Sequence, residues 1–264
     1  MSDNALSADD YASLIALVYE RCGIKLGPDK QTLVSSRLAN RMRHHRCADL
    51  GAYLDLIARD HGELVFLLDA ITTNTTSFFR EPAALQAVDD EVRRMLAKGG
   101  RRFRFWSAAA SLGMEAYSLA MLLAENGAIK HDCAILATDI STRALAACRD
   151  GIYDTAAVAP IPQAMKQRWL QPQAERWQVD ARLRSLLTVN RVNLAKPPFP
   201  MRGPFDAIFC RNVMIYFDLP VRQRLVTACQ ELLRPGGLLL IGAAESLHGL
   251  DHAFTTVRPA VFRK

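Results

Sequence analysis

At Gly99-Gly100 the spacing of apolar residues changes, and this change constrains the fold more than any other feature of the chain. Before it, apolar residues recur every three or four positions, the period of a helix face. After it, short apolar runs alternate with helical stretches. Residues 101–109 (RRFRFWSAA) read as a strand, 115–125 as a helix and 133–140 (CAILATDI) as a second strand. A helix over 141–149 follows, with Ser141 as a plausible N-cap. Residues 205–210 (FDAIFC) read as a short buried strand. A helix over 219–233 is stopped by Pro235-Gly236-Gly237, residues 238–243 form another strand, and 255–262 have strand character. Such alternation predicts an α/β fold with a parallel, doubly wound sheet.

The part before Gly99 reads as helices only. Leu14, Leu17 and Val18 share one face of the first, which Gly23 and Gly27-Pro28 end. A second over 29–46 has Val34, Leu38 and Met42 as its apolar stripe, flanked by a basic stripe of Lys30, Arg37 and Arg41. Further helices are expected at 50–59, at 63–71, and from Pro82 to about Lys98. Between 151 and 193 the later alternation breaks. Pro160 and Pro162 precede a helical piece at 165–170, and 176–192 has the pattern of short antiparallel strands. The expected division is a helical domain over 1–82 and a sheet domain over 83–264 with a β-insert at about 155–192.

Half of the 264 residues are apolar and 23% are charged, the balance of a soluble globular protein. No apolar run reaches the roughly 18 residues of a membrane span. The segment MSDNALSADDY has no basic start and no apolar stretch, so it is not read as a signal peptide, and a cytoplasmic protein is expected. The six cysteines form no CxxC pair and have no metal-ligand spacing with histidine, so reduced thiols and no metal are expected. His44 and His45 read as surface residues. The net charge is +6, and residues 21–46 carry seven Lys or Arg against Asp29 alone, which points to an acidic partner.

In an open parallel sheet, ligands bind outside the carboxyl ends of the strands. The first strand leads into Ser107-Ala108-Ala109-Ala110-Ser111-Leu112-Gly113, a small-residue loop with one glycine. A pyrophosphate cradle wants several glycines, so NAD and FAD are disfavoured. S-adenosylmethionine carries no phosphate, and for it such a loop suffices. Asp139 at the tip of the second strand is placed to accept both hydrogen bonds of a ribose diol; capping the next helix is the alternative. Glu115 either stabilises its helix through the dipole or contacts a cationic ligand, and both readings stay open. Arg211-Asn212 lie just past a buried strand, and Tyr216 offers a phenol nearby. ITTNTTSFFRE at 71–81 holds more polar residues than a capping turn requires.

These segments resemble the chemotaxis receptor methyltransferase family, CheR. The similarity is nearly full-length. It rests on TTNTTSFFRE at 72–81, FWSAAASLGMEAYSLAM at 105–121, ATDIS at 137–141, RDGIYD at 149–154, VNL at 192–194, PFDAIFCRNVMIYFD at 204–218 and LLRPGGLLLIGAAES at 232–246. The resemblance implies an all-helical N-terminal domain, a Rossmann-like S-adenosylmethionine-dependent methyltransferase domain, and a small antiparallel β-subdomain inserted in the latter. Position by position, it implies S-adenosylmethionine contacts at Asn74, Thr76, Arg80, Glu115, Asp139, Asn193, Leu194, Arg211 and Asn212, with Arg80 and Tyr216 beside the reacting groups. The family usually has two acids and a proline after the glycine of the first loop; here Met114 and Ala116 replace the first acid and the proline. Many relatives bind a receptor's C-terminal pentapeptide through a glycine-containing loop, whereas residues 171–189 contain no glycine.

The implied reaction moves a methyl group from S-adenosylmethionine to receptor glutamates, leaving S-adenosylhomocysteine. The implied partner is the helical methylation region of cytoplasmic receptor domains, met by a monomer through Lys30, Arg37 and Arg41. Two rivals are a methyltransferase for a small molecule or RNA, and a catalytically idle binding module. RNA recognition normally adds aromatics among the basic residues, and residues 21–46 have none.

Overall fold

The computed structural model describes residues 7–264, so the reading of the first six residues lies outside the described part. Four helices come first: α1 (Ala8–Cys22), α2 (Gln31–His44), α3 (Leu50–Arg59) and α4 (His61–Ile71). Ser7, Asp49 and Asp60 cap α1, α3 and α4 by accepting backbone N–H groups that the helix itself leaves unpaired. Leu14 and Val18, then Val34, Leu38 and Met42, then Tyr53, Ile57 and Leu67 meet in one core.

A buried acid sits among these helices. Glu63 is 2% exposed and accepts the Tyr53 hydroxyl at 2.6 Å, together with Arg41 and His45. Burial pushes its carboxyl up, but hydrogen bonds from Arg41 and Tyr53 outweigh this and hold it at about 2. The Arg41 guanidinium also lies 4.0 Å over the Phe66 ring. Arg37 donates to the carbonyls of Ala70, Ile71 and Thr72, closing the C-terminal end of α4. Within the basic stripe, Arg37 and Arg41 are thus partly buried and engaged with α4. Their side of α2 faces a buried carboxylate and orphan carbonyls, and both attract guanidinium groups. Lys30 stays exposed, 3.1 Å from Asp29. The solvent face of α2 carries Leu33, Ser36, Asn40 and Arg43.

The second unit begins with α5 (Pro82–Ala97) and continues as β1 (Arg102–Ser107), α6 (Met114–Glu125), β2 (Asp132–Asp139), α7 (Thr142–Asp150), β3 (Ile152–Asp154), α8 (Gln163–Trp169), β4 (Leu170–Gln173), β5 (Arg176–Val179), α9 (Ala181–Arg184), β6 (Leu187–Arg191), β7 (Phe205–Cys210), α10 (Leu219–Leu232), β8 (Leu233–Ile241), β9 (Thr255–Arg258) and β10 (Val261–Arg263). The main sheet has the order β6-β2-β1-β7-β8-β10-β9. Its first five strands are parallel, and β10 runs antiparallel to both neighbours. Side chains alternate across it as a pleat demands. Phe103 and Phe105 pack with α5 and α6 on one face, and Trp106 and Ile208 pack with α10 on the other. The chain runs outward from β1 to β2 and β6, then returns to β7 on the other side of β1. The switch point, where ligands bind in such sheets, lies between β1 and β7.

Three details differ from the sequence reading. In 176–192 only β5 is antiparallel, pairing with β3 and β4; β6 joins the main sheet parallel to β2. Leu187 and Val189 supply the apolar face of an edge strand, and a period of two is the same in either sheet. Pro235-Gly236-Gly237 lies inside β8, because β7 Phe205 faces Leu233 while Ala207 already faces Leu238, a bulge. The C-terminal tail makes two strands turning at Ala260, where φ is +62°. Among the described residues, no helix is long and apolar enough to cross a membrane.

Arg41→Ala leaves Glu63 buried without its main counter-ion and is expected to cost about 3–5 kcal/mol, read by chemical denaturation. The carboxyl of Glu63 lies below its ordinary 4.5. Its stabilisation is therefore complete above that pH and is lost as pH falls toward about 2, a dependence that Glu63→Gln is expected to remove.

Candidate active site

A cavity of about 410 Å³ opens at the switch point, within the roughly 300–1,000 Å³ of small-molecule sites. One wall is the sheet domain: Ala108, Ala109 and Ser111 after β1, Asp139 and Ile140 after β2, Val192 to Leu194 after β6, and Arg211 to Val213 after β7. The other wall is helical, from Cys22 to Gly27 and from α2, with the polar turn 72–77 between them.

The tips of β1 and β2 are tied by a buried relay. The Trp106 indole donates to the Thr138 hydroxyl at 2.9 Å, which donates to the Ala108 carbonyl at 2.8 Å. Past this point the first loop folds back. The Ser111 amide donates to one oxygen of Asp139 at 2.8 Å and the Ser141 amide to the other at 2.9 Å. Ser141 itself is the N-cap of α7. Asp139 thus shapes the loop and still has lone pairs free for a diol. Its carboxyl lies above the usual range because burial outweighs those amide bonds. Gly113 closes the loop at φ +87°; a Cβ there would sit 2.6 Å from the Cys148 sulfur. Met114 and Ala116 pack inward at the start of α6, Met114 being 6% exposed.

Below the loop lies an ion cluster. Arg211, just past β7, is 6% exposed and donates to Glu115 at 2.8 Å and to the Arg80 carbonyl at 2.7 Å. It also lies 3.1 Å from Glu81. Glu115 further accepts the Ser107 hydroxyl at 2.7 Å. Burial raises the Glu115 carboxyl, against the pull of Arg211. Burial also pushes on Glu81, but Arg211, Asn212 and the Ala243 amide hold it below its ordinary value. The Nε of Arg211 is buried and has no partner among the described residues.

The polar turn is held in strained backbone. Phe79 and Glu81 both have φ of +53°, and the Phe79 amide donates to Ser118 at 2.9 Å. Phe78 is buried edge-on against Tyr153. This leaves Arg80 at the cavity, its side chain 39% exposed, donating to the Thr75 carbonyl at 3.3 Å. Tyr216 also lines the cavity, in a short 3-10 turn, and its carbonyl accepts the Lys25 amide at 2.9 Å.

All ten residues singled out for cofactor or chemistry line this cavity: Asn74, Thr76, Arg80, Glu115, Asp139, Asn193, Leu194, Arg211, Asn212 and Tyr216. Asn193 also works between the units, donating to the Arg21 carbonyl at 2.7 Å. Lys30 and Arg37 reach the rim, and Arg41 does not. The sequence reading missed Glu81, although it stood in the quoted polar motif beside Arg80. It also missed Ser107 and Ser111, whose roles depend on loop closure. The site fits S-adenosylmethionine: an acid for the diol, apolar Ile140, Val192 and Leu194 for the base, and an orphan buried Nε with Asn74 and Thr76 for the polar end.

Residues 9–72 match the family model for the CheR methyltransferase all-alpha domain, and residues 74–262 match that for the CheR methyltransferase SAM-binding domain. The chain is 37% identical over 259 residues to chemotaxis protein methyltransferase 2 of Pseudomonas aeruginosa, covering 96% of this chain and 92% of the relative. It is 36% identical over 258 residues to the chemotaxis protein methyltransferase of Escherichia coli, covering 95% and 89%. A probable chemotaxis protein methyltransferase of Rhizobium etli is 37% identical over 259 residues, covering 94% and 96%.

Arg211→Met strands the buried Glu115 and is expected to cost about 3–5 kcal/mol in chemical denaturation. Adding Glu115→Gln is expected to recover part of that loss, because the pair is coupled.

Proposed function

Because the chain belongs to the CheR methyltransferase family, we propose that it methylates glutamate side chains of chemotaxis-type receptors, giving glutamate methyl esters and S-adenosylhomocysteine. The observation that carries the reading is the cavity itself. It joins a diol-ready acid, Asp139, to an arginine and a phenol, Arg80 and Tyr216, at one switch point. S-adenosylmethionine supplies an electrophilic methyl on a sulfonium when bound.

The chain's own residues then have a positioning task. A glutamate carboxylate has an ordinary pKa of about 4.3, so it is ionised at neutral pH and needs no general base. Arg80 is half-exposed and, among the described residues, its side chain is tied only to the Thr75 carbonyl and loosely to Glu81, which leaves it able to hold that carboxylate. Tyr216 hydrogen-bonds beside it. Asp139 holds the ribose, and Asn74, Thr76, Glu115, Asn193, Leu194, Arg211 and Asn212 complete the cofactor wall. The helical unit forms the far wall and excludes water from the nucleophile, which strengthens every charge interaction inside.

The receptor's acidic methylation helices dock on the helical unit. With Arg37 and Arg41 engaged on α4, Lys30 at the rim and exposed Arg43 carry the attraction. Docking is independent of a C-terminal pentapeptide. Gln173 pairs with Arg176, so the β4–β5 turn is only residues 174–175 and offers no loop to receive a peptide. The protein works in the cytoplasm as a monomer.

Labelled methyl transfer to receptor-bearing membranes is expected to yield an alkali-labile product, and to persist when the receptor's last five residues are deleted. An alkali-stable product, or transfer only to RNA or a small molecule, contradicts the glutamate reading. Strong binding of the isolated pentapeptide contradicts the tether-independent one. Arg80→Ala is expected to lower turnover by about 100-fold or more with little change in melting temperature, as an orienting contact is lost. Asp139→Asn is expected to weaken S-adenosylhomocysteine at least about tenfold at neutral pH. Because burial raises the Asp139 carboxyl, wild-type affinity is expected to fall on acidification before an ordinary aspartate protonates, and the Asn variant to show no such fall.

A further inference from the structure

We propose that Glu245 is a positioning residue that shapes the loop presenting Arg211, Asn212 and Tyr216. It rests on the reading of the cavity given above. Glu245 does not line the cavity; it lies behind it, in the turn that follows β8.

Its carboxylate gathers three main-chain amides. One oxygen accepts the N–H of Asn212 at 2.9 Å and of Gly242 at 2.6 Å. The other accepts the N–H of Ile215 at 3.3 Å. These amides belong to the loops that follow two neighbouring parallel strands, β7 and β8, so one side chain sets the spacing of both at the sheet's carboxyl edge. The bonds are charge-assisted and therefore strong.

They also hold a conformation the chain resists. Asn212 sits at φ +57°, a region a residue with a Cβ enters at a cost. In that conformation its amide donates to Glu245 and its side chain turns toward Glu81 at 3.4 Å. Gly242 permits the close approach. A Cβ there would lie 2.5 Å from the Asn212 side-chain nitrogen and 3.0 Å from its amide nitrogen. Ile215 is the residue before Tyr216, inside the 3-10 turn that aims the phenol.

The two oxygens divide the task, and this gives a test that general destabilisation does not imitate. Glutamine keeps one oxygen. Placed where it retains the Asn212 and Gly242 bonds, it turns its NH₂ toward the Ile215 N–H, donor against donor. Glu245→Gln is expected to hold S-adenosylhomocysteine affinity within about threefold of wild type while turnover falls at least about tenfold, because the cofactor side is kept and the Tyr216 side is lost. Glu245→Ala is expected to lose both. In the cofactor-free protein, hydrogen exchange at amides 212 and 215 is expected to accelerate in Glu245→Ala and in Gly242→Ala, and to stay unchanged in Asp139→Asn. Unaltered exchange at these amides in Glu245→Ala overturns the proposal. So does a Gln variant whose affinity and turnover fall together in step with its melting temperature. If Glu245→Ala does not fold, the Gln variant decides by that same split. Failure of the wild-type chain to bind S-adenosylhomocysteine overturns the cavity reading instead, and the exchange measurement still decides Glu245.

Discussion

A single buried guanidinium holds the site together. Arg211 reaches Glu115 at the start of α6, Glu81 at the end of the polar turn, and the carbonyl of Arg80. Together with Arg211 itself, these groups come from three segments far apart in the chain, and each segment carries other residues of the cavity. An arginine so placed is costly to bury, and its cost is offset only when its donors find acceptors in good geometry. Here both carboxylates and a carbonyl supply them for the terminal nitrogens, while Nε has no partner among the described residues. The cluster therefore selects one arrangement of the turn, the helix and the post-β7 loop over the loosely packed alternatives.

The helical unit is a structural half of the pocket. Its contacts to the sheet domain are polar and specific. Asn193 donates to the Arg21 carbonyl, the Lys25 amide to the Tyr216 carbonyl, and the Tyr19 hydroxyl to Asp218 at 2.5 Å. On the far side, Asp69 of α4 accepts the Thr142 hydroxyl at 2.7 Å at the first turn of α7. These bonds lie on both flanks of the cavity. Apolar contact adds to them where Gly23 meets Ala195, too closely for a Cβ, which would sit at 2.6 Å. A helical array and a nucleotide-type sheet thus face each other across one cavity, and the small-residue loop after β1 leaves room between them.

Most of this architecture was legible because it follows from local periodicity. The third helix and the FDAIFC strand lie where their spacing put them, and the residues singled out for the cofactor converge on one cavity. What was not legible depends on tertiary partners. Arg37 and Arg41 look like a free basic stripe until α4 arrives with Glu63 and three unpaired carbonyls. Leu187 and Val189 alternate identically whether they pair with β5 or β2. Pro235-Gly236-Gly237 carries the composition of a stop, and only the register of β7 against β8 makes it a bulge. Glu81 was hidden by its neighbours: in a motif so rich in polar residues, nothing local tells the one that faces a buried arginine from those that face the cavity.

The β4–β5 hairpin turns over two residues, with Ala174 at φ +53°, on a small sheet at the surface. The entropic cost of closing a loop grows only slowly with its length, so a few added residues at this turn would disturb neither the main sheet nor the cavity. The small sheet and the cavity are thus separable parts of the chain. Such a layout lets the exposed turn lengthen or shorten by insertion or deletion while the residues around the cavity keep their places.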